Sequence, residues 1–260
     1  MAPEVPVAPV VFRIPMRTRF RGQTVREGVL LHGPAGWGEF SPFPEYGPRE
    51  SPRWPACARE AAFEGWPEPV RDSVPVNATV PAVDPEQAHE LVRSSGCATA
   101  KVKVAEPGRP CATIEEPAAV RRAGDVPIAA DESIRRAEDP LRVRAAEAAD
   151  VAVVKVQPLG GVRAAPRVVE ACGLPAVVSS AVETSVGLAA GLAPAAALPA
   201  LPYACGLGTA PLLSGDVVAD PLVPVGGRPA VRRPAVDFQH LSAFEIESPQ
   251  WLRRMQEASR

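Results

Sequence analysis

The sequence lacks the features that define several large classes of protein. It has no C-x-x-C pair, and its cysteines are odd in number and widely spaced: Cys57, Cys97, Cys111, Cys172 and Cys205. This usage favours free thiols in a reducing compartment and argues against a structural zinc site. No apolar run approaches the ~18 residues of a membrane span, and the N-terminus has no basic start followed by an apolar core. We therefore expect a cytoplasmic protein with no membrane partner.

The chain also lacks an excess of charge of one sign. It has 28 Lys and Arg residues against 30 Asp and Glu residues, without a pronounced basic block. Nucleic acid is therefore not an expected partner, and a small-molecule substrate fits better. At 260 residues, of which 46% are hydrophobic, the chain can bury a large core. These patterns do not predict an oligomeric state.

Proline, by contrast, is abundant, with 32 residues. Pro55, Pro166 and Pro194 fall in segments that otherwise favour helices. A proline inside a helix removes a hydrogen bond and clashes with the preceding turn, which costs ~3 kcal/mol. We expect marginal stability unless these helices begin or bend at the prolines.

Residues 1–73 are predicted to form a small α+β capping domain. Alternating apolar residues and turn signals predict antiparallel strands at 10–14, 25–31 and 37–40, with a turn at 33–36. A helix is predicted at 53–64, and the proline-rich segment 66–74 is predicted to be a linker.

From residue 74 to 235, β-branched runs alternate with alanine-rich stretches. Strands are predicted at 76–80, 98–104, 126–130, 151–156, 176–180 and 203–207, and helices at 85–94, 114–123, 139–148, 161–172 and 185–198. Such alternation predicts a parallel sheet with right-handed crossovers. The candidate strand ends recur at intervals of roughly 23 to 28 residues and carry charged groups, which favours an α/β fold of the β/α (TIM) barrel type. A doubly wound sheet is the alternative, but its usual glycine-rich phosphate loop is absent.

The predicted barrel is incomplete. A full barrel has about eight βα units, whereas about six can be recognised here, and the shortening falls between residues 104 and 111. The tail is predicted to contain a returning strand at 230–238 and a helix at 249–259. It either closes the barrel or, over 236–260, completes the capping domain.

Charged residues at the ends of apolar strands are the candidate catalytic groups. Lys101 and Lys103 are two residues apart on one strand and so project to the same face. Two ammonium groups in a small space disfavour each other's charge, which makes a lysine a better general base. Asp131 ends the next strand and could bind a hard cation, and Lys155 lies in a run of valines.

Each of these residues also has a structural interpretation. The lysine pair could lie solvated on an edge strand, Asp131 could cap a helix, and Lys155 could extend its amine from the barrel to solvent. Ser179 and Ser180, before an alanine-rich helix, could bind a substrate carboxylate or simply cap that helix. The aromatic loop 37–46 fits either a lid or the core of the cap.

Taken together, these stretches resemble the o-succinylbenzoate synthase family of the enolase superfamily, in its actinobacterial form. The resemblance is carried by segments 36–46 (GWGEFSPFPEY), 101–103 (KVK), 130–133 (ADES), 155–161 (KVQPLGG) and 179–185 (SSAVETS). It implies an α+β cap on a β/α barrel. It also implies a lyase that uses Mg²⁺ to dehydrate 2-succinyl-6-hydroxy-2,4-cyclohexadiene-1-carboxylate to o-succinylbenzoate in menaquinone biosynthesis.

The resemblance also assigns roles to individual residues. Lys103 would remove the proton α to the carboxylate and then, as an acid, help the hydroxyl leave; Lys101 is its partner in the lysine pair. Lys155 would stabilise the enediolate from the opposite wall, and Asp131 would be one of three carboxylate ligands to Mg²⁺. The implied substrate-binding residues are Ser179, Ser180, Glu183, Thr184 and Gly206.

The sequence departs from the family pattern between the Lys101 and Asp131 strands. The family has two further strands there, each ending in a metal-binding carboxylate, whereas here residues 104–108 lead almost directly to Cys111. Glu115 superficially resembles one missing ligand but reads as the first turn of a helix. With two ligands missing, Mg²⁺ should bind weakly.

Three alternatives therefore stay open. The chain could be a catalytically impaired paralogue or remnant that keeps a carboxylate site. It could be an N-acylamino acid racemase or dipeptide epimerase, because these use the same paired lysines. The sequence could also be an incomplete record of a longer protein, in which the two family strands between Lys103 and Asp131 are present.

Overall fold

The computed structural model describes residues 8–102, 122, 127–131, 134 and 139–260. Three antiparallel strands open the chain: β1 (Val10–Phe20), β2 (Gln23–Gly33) and β3 (Gly36–Phe40), in the order β1-β2-β3. Val29 of β2 lies opposite Val11 on one side and Phe40 on the other. The predicted sheet is confirmed, and its first two strands are longer than expected.

A short helix packs on this sheet. α1 (Trp54–Arg59) continues into a π-type turn at Glu60–Glu64, and Pro55 stands in the first turn, where its missing N–H is not needed. Gly38 of β3 lies against the backbone of Ala58, so close that a side chain at position 38 would overlap its carbonyl group. The helix therefore sits directly on β3.

The second part of the chain contains the predicted parallel strands. β4 (Ala78–Val80) pairs with β5 (Ala100–Val102), while β6 (Ala129–Ala130), β7 (Val151–Lys155) and β8 (Ala176–Ser179) form a second parallel group. Residues 205 and 206 connect the groups through parallel bridges from Cys205 to Val76 and from Gly206 to Ser179. Segment 203–207 is thus in the predicted place, although it forms isolated bridges and not a strand. Within the described residues, β5 and β6 are not paired with each other.

Helices connect and cover these strands: α2 (Pro85–Ser95), α3 (Asp139–Ala145), α4 (Val156–Leu159), α5 (Ala164–Cys172) and α6 (Ser185–Ala197). Pro166 falls in the first turn of α5, whereas Pro194 lies inside α6. Apart from its last residue, α6 is buried along its whole length. The predicted helix 114–123 lies outside the described residues, except for position 122. The arrangement is that of an α/β barrel with a parallel sheet.

The C-terminal segment packs on the cap. α7 (Phe238–Ser242) is followed by α8 (Pro249–Ala258), near the predicted helix 249–259. The backbone N–H of Ile246 donates to the Val11 carbonyl, and the N–H of Arg13 donates to Phe244. The predicted strand at 230–238 is wrong: this stretch makes a single bridge, from Ala230 to Ser73. Pro229 and Pro234 bring no N–H to a ladder, so the alternating apolar residues here do not form a strand.

Two hydrophobic cores hold the molecule together. The first, in the barrel, includes Val154, Leu159, Val178 and Leu188, whereas the second lies between cap and barrel and includes Phe12, Ile14, Leu30, Phe40, Trp54, Val182 and Val186. No helix in the described part of the chain is long and apolar enough to cross a membrane. Because the second core spans both parts, the cap is fixed above the carboxyl ends of the parallel strands.

Candidate active site

A pocket lies at the carboxyl ends of the parallel strands, beneath the cap. Its lining includes Phe20, Arg21, Phe43, Tyr46, Trp54, Thr79, Lys101, Asp131, Ile134, Lys155, Pro158, Ser179, Ser180, Ala181, Val182, Gly206 and Thr209. Active sites of β/α barrels form at this end of the strands, because the loops that follow them converge there. The cap contributes all four aromatic rings of this lining, and the barrel contributes most of the polar groups.

Asp131 is the centre of the charge cluster in this pocket. The ammonium group of Lys101 lies 2.5 Å from Asp131 Oδ2, and that of Lys155 donates to Oδ1. Burial alone would raise the pKa of Asp131, but the charges of Lys155 and Lys101 outweigh it and hold that pKa well below its usual range. Two ammonium groups and one carboxylate leave a net positive charge, which favours an anionic ligand.

Lysine is rare in this protein. The chain has only three lysines, at positions 101, 103 and 155, against 25 arginines. Two of them, Lys101 and Lys155, converge on Asp131, and neither is a solvated surface residue: they are 28% and 16% exposed. Lys103 lies outside the described residues. An arginine stays protonated, whereas a lysine can release its proton, so this usage is typical of acid–base chemistry.

The hydroxyl-bearing side of the pocket comes from β8 and the segment around residue 206. Ser179 is 5% exposed, and its Oγ donates to the Gly206 carbonyl at 3.4 Å. A side chain at Gly206 would overlap Ser179 Oγ, so the glycine permits this close approach. Ser180 Oγ lies 2.7 Å from Thr209 Oγ1. Ser179, Ser180 and Gly206 thus lie in the same pocket as Lys101, Asp131 and Lys155.

Glu183 and Thr184 lie beneath this surface and have partners within the protein. Glu183 Oε2 accepts from the N–H of Ala181 at 2.8 Å, and Gln157 donates to Oε1 at 3.3 Å. Burial raises the pKa of Glu183. Thr184 caps α6, since its Oγ1 accepts from the N–H of Val186. Neither side chain is part of the pocket lining.

Glu39 of the cap joins this buried layer. Its Oε2 accepts from Thr184 Oγ1 at 2.5 Å and from the N–H of Gly187 at 3.0 Å, while Oε1 accepts from Ser41 Oγ at 2.6 Å. Glu39 is 3% exposed, and burial raises its pKa to about 7. A carboxyl group of the cap therefore anchors the first turn of α6, directly behind the pocket.

A strained residue also shapes the loop between Ser180 and α6. Val182 has φ 60°, which is unfavourable for a β-branched side chain. Its carbonyl accepts from Arg26 Nε at 3.0 Å, and Arg26 Nη2 donates to the Ser41 carbonyl at 2.6 Å. Arg26 is 2% exposed and stacks over the Phe43 ring at 4.3 Å. This buried guanidinium holds the loop after Ser180 in an otherwise costly conformation.

The sequence did not single out Phe20 and Arg21 of the cap at the pocket rim, whereas Tyr46 belongs to the loop 37–46 for which a lid was one of two interpretations. Arg21, in the β1–β2 turn, has φ 50°, lies 3.8 Å from Glu45 and stacks over Phe43. Phe20 and Tyr46 line the same rim. The available signal was the Arg-Gly pair at 21–22, which marks a turn, but the register that brings it to the pocket depends on the bulge in the β1–β2 pairing.

The described residues do not by themselves fit a Mg²⁺ site. Within this part of the chain no three His, Cys, Asp or Glu side chains are grouped so as to hold a metal ion. Both oxygens of Asp131 are engaged by ammonium groups. Glu115 lies outside the described residues.

Comparison with known protein families covers both parts of the chain. Residues 11–62 match the family described as Enolase N-terminal domain-like, and residues 81–234 match the family described as Enolase C-terminal domain-like. The muconate lactonizing enzyme of Pseudomonas fluorescens superimposes with a TM-score of 0.76 at 16% identity, over 92% of this chain and 98% of that one. This likeness concerns the fold alone.

The sequence relatives are closer. The o-succinylbenzoate synthase of Thermobifida fusca is 58% identical, over 94% of this chain and 93% of the relative. That of Mycolicibacterium smegmatis is 47% identical, over 93% and 91%. The first alignment runs over 296 positions, whereas 94% of 260 residues is about 244, so roughly fifty of its positions have no residue of this chain. With both domains matched, and with Lys101, Asp131 and Lys155 together at the carboxyl ends of the strands, the chain belongs to the o-succinylbenzoate synthase family of the enolase superfamily.

Proposed function

We propose that this chain is a carbon–oxygen lyase that dehydrates 2-succinyl-6-hydroxy-2,4-cyclohexadiene-1-carboxylate to o-succinylbenzoate, the product for which its relatives are named. The observation that carries the proposal is the convergence of Lys101 and Lys155 on Asp131 in a chain with only three lysines. A role in menaquinone biosynthesis in the cytoplasm follows from the family and from the free cysteines among the described residues.

The charge of the cluster explains how a carboxylate would be held. The substrate carboxylate enters a pocket whose floor carries a net positive charge, and the partly buried lysines are screened less than surface charges. The hydroxyls of Ser179 and Ser180 lie on the same lining and offer hydrogen bonds. The aromatic rings of Phe20 and Phe43 provide an apolar roof for the six-membered ring of the substrate.

The chemistry is a proton transfer followed by loss of hydroxide as water. Lys103 takes the proton from the carbon that bears the carboxylate, and the electrons pass into an enediolate. They return to expel the hydroxyl at the neighbouring position, which takes a proton from Lys103 and leaves as water. The product is an aromatic ring, so this second step is strongly favourable.

Lys155 is assigned to the enediolate. When the carboxylate becomes an enediolate its oxygens gain negative charge, and a fixed ammonium group stabilises that charge more than it stabilises the substrate. Asp131 contacts Lys155 and Lys101, so we assign it the role of holding both ammonium groups in place.

Mg²⁺ is the cation that the family implies, and we propose that this chain binds it weakly. The roughly fifty unmatched positions in the Thermobifida fusca alignment are assigned to the shortening between residues 104 and 111, where the family carries two ligands. Titration calorimetry with MgCl₂ tests this directly. We expect a dissociation constant of about a millimolar or weaker, and micromolar binding would contradict the proposal of weak binding.

A second candidate function is a carboxylate-binding protein with little turnover. It is favoured by the engagement of both Asp131 oxygens by lysines and by the absence of a metal-binding group among the described residues. In that case o-succinylbenzoate would bind, but dehydration would be undetectable.

The deciding experiment is a dehydratase assay on purified protein, followed by ultraviolet absorbance, with and without added Mg²⁺. Turnover that disappears almost completely in Lys103→Ala, and falls roughly 10²–10⁴-fold in Lys155→Ala, supports the lyase. Arg253→Ala, on the surface of α8, is the control for an unrelated cation. Product binding without turnover would favour the second candidate, and a panel of N-acylamino acids and dipeptides tests racemase or epimerase activity.

A further inference from the structure

A second concavity lies at the far end of the cap sheet, around the β2–β3 turn. Its volume is about 600 Å³, within the usual range of small-molecule sites. Its walls come from that turn, from residue 66, from the first turns of α6 and from residues 233–238. It shares no lining residue with the pocket around Asp131. We call this concavity the Arg233 groove.

Aromatic rings dominate the lining of the Arg233 groove. The chain has only 13 Phe, Trp and Tyr residues, and three of them, Trp37, Trp66 and Phe238, meet here. Trp37 packs edge-on against Phe238 at 6.1 Å and lies 4.6 Å from the His32 ring. Phe238 is 63% exposed, although a ring of this size is normally buried. The groove therefore offers flat apolar surface to solvent.

One fixed cation accompanies these rings. The guanidinium of Arg233 lies 4.1 Å from the Trp66 ring centroid, and its Nη2 donates to the Ala61 carbonyl. A side chain at either Gly36 or Gly65 would begin only 3.3 Å from a guanidinium nitrogen, so the backbone at both positions confines the group. No Asp or Glu is among the described residues that line the groove.

The position of the Trp66 ring in the groove is fixed. Trp66 lies between Arg233 and the core of the barrel, so its ring is held by packing on one face and by the guanidinium on the other. Confined rings beside a confined cation keep their arrangement without a ligand, as a preformed site requires.

We propose that the Arg233 groove binds a small aromatic carboxylate. The aromatic ring of such a ligand would stack among Trp37, Trp66 and Phe238, and its carboxylate would pair with Arg233. Planar guanidinium groups bind carboxylates through two parallel N–H donors, which a neutral aromatic ligand cannot exploit. A concave site with largely apolar walls and a guanidinium anchor suits a small ligand better than the flat surface of a second chain.

The test uses 1-naphthoate as the probe and Lys155→Ala as the host protein, because an aromatic carboxylate could also enter the catalytic pocket. We expect saturable binding at one site by titration calorimetry, with quenching of tryptophan fluorescence. The neutral analogue 1-naphthylmethanol should bind at least tenfold more weakly. No saturable binding of 1-naphthoate in this host would overturn the proposal.

Matched variants in the same host identify the groove. Arg233→Gln should weaken 1-naphthoate at least tenfold, whereas Arg232→Gln, which removes a neighbouring arginine paired with Asp220, should leave it unchanged. Phe238→Ala removes an exposed ring and should weaken binding several-fold even if Arg233→Gln fails to fold. If the folded Arg233→Gln and Phe238→Ala variants both bind 1-naphthoate as tightly as the host protein, the assignment to the groove is refuted. So would sedimentation showing a dimer that Phe238→Ala dissociates, since a second copy would then occupy the groove.

Discussion

Replacing Glu39 by Gln should change how the stability of this protein depends on pH. Glu39 is buried between cap and barrel, and its pKa rises from its ordinary value of 4.5 to about 7 because burial disfavours the charged carboxylate. In the unfolded chain the same group titrates near its ordinary value. Between these two pH values the folded protein therefore holds a proton that the unfolded chain has lost.

The sign and size of the effect follow from this difference. The contribution of the protonated group is fully present below pH 4.5 and is lost as the pH rises through 7. At 1.36 kcal/mol per pKa unit, this amounts to about 3 kcal/mol of unfolding free energy, with no further loss from Glu39 above about pH 7. Burial also raises the pKa of Glu183, so this group adds a further loss of unfolding free energy as the pH rises. The difference between wild type and variant is therefore the informative quantity.

Gln is a suitable neutral substitute at this position. The carboxylate oxygen Oε1 faces Ser41 Oγ at 2.6 Å, and a hydroxyl can accept as well as donate, so an amide NH₂ can replace that oxygen there. Among the described residues, the only contact that this exchange loses is the long one from the Thr184 N–H, at 3.4 Å. The amide oxygen can still accept from Thr184 Oγ1 and from the N–H of Gly187 on the other side. We expect Glu39→Gln to match wild type near pH 5 and to exceed its stability by roughly 2–3 kcal/mol at pH 8.

Urea denaturation at pH 5, 6, 7 and 8 measures this directly. Glu68→Gln, at an exposed position of the linker, is the control and should run parallel to wild type. If the stability curves of wild type and Glu39→Gln are parallel over the whole range, Glu39 does not carry a raised pKa in the folded protein. The reasoning about burial at the contact between cap and barrel would then be wrong.

Three further predictions follow from other contacts. Lys155→Arg keeps a cation but replaces the compact ammonium group with a larger, planar guanidinium that cannot take the same position beside the enediolate, so the dehydratase rate should fall roughly 10²-fold or more while the melting temperature changes little. Gly187→Ala would place a Cβ 2.5 Å from Glu183 Cβ and 2.9 Å from Glu39 Oε2 and should lower the unfolding free energy in urea by about 1–3 kcal/mol. Gly47→Ala, with no neighbour within 4 Å, should change it by less than about 0.5 kcal/mol. The Glu60 carboxylate accepts from two backbone N–H groups in the loop after α4. Glu60→Gln removes this charge and should lower the unfolding free energy in urea by about 1–3 kcal/mol.

The convergence of the candidate site could be predicted because it follows from local patterns. Apolar runs that alternate with helices imply parallel strands, and parallel strands present their carboxyl ends on the same side. Lys101, Asp131 and Lys155 each lie at such an end, so their meeting required only the correct strand order. The antiparallel cap sheet was equally accessible, since its turns carry glycine.

The buried layer behind the pocket could not be predicted in this way. Glu39 and Thr184 are 145 residues apart, and nothing local indicates that a carboxyl at the end of β3 meets the first turn of α6. Arg26 likewise looks like an ordinary polar residue of a strand, but the cap and the Val182 loop of the barrel together bury it to 2% exposure. The false strand at 230–238 has a related cause: alternation was present, but Pro234 brings no N–H to a ladder, and among the described residues the stretch makes a single bridge.

Arginine and lysine have different roles in this protein, and this difference connects the observations above. Arginine holds structure here: Arg26 supports the strained Val182 loop, and Arg254 donates to the carbonyls of Phe43 and Tyr46 in the loop that roofs the pocket. These roles need a permanent charge with donors in fixed directions, which a guanidinium provides. Proton transfer needs the opposite property, a cation that can become neutral. In a chain with 25 arginines, lysine is kept at only three positions, and two of these contact Asp131. This usage marks the strand ends where the proton transfer assigned to Lys103 is expected.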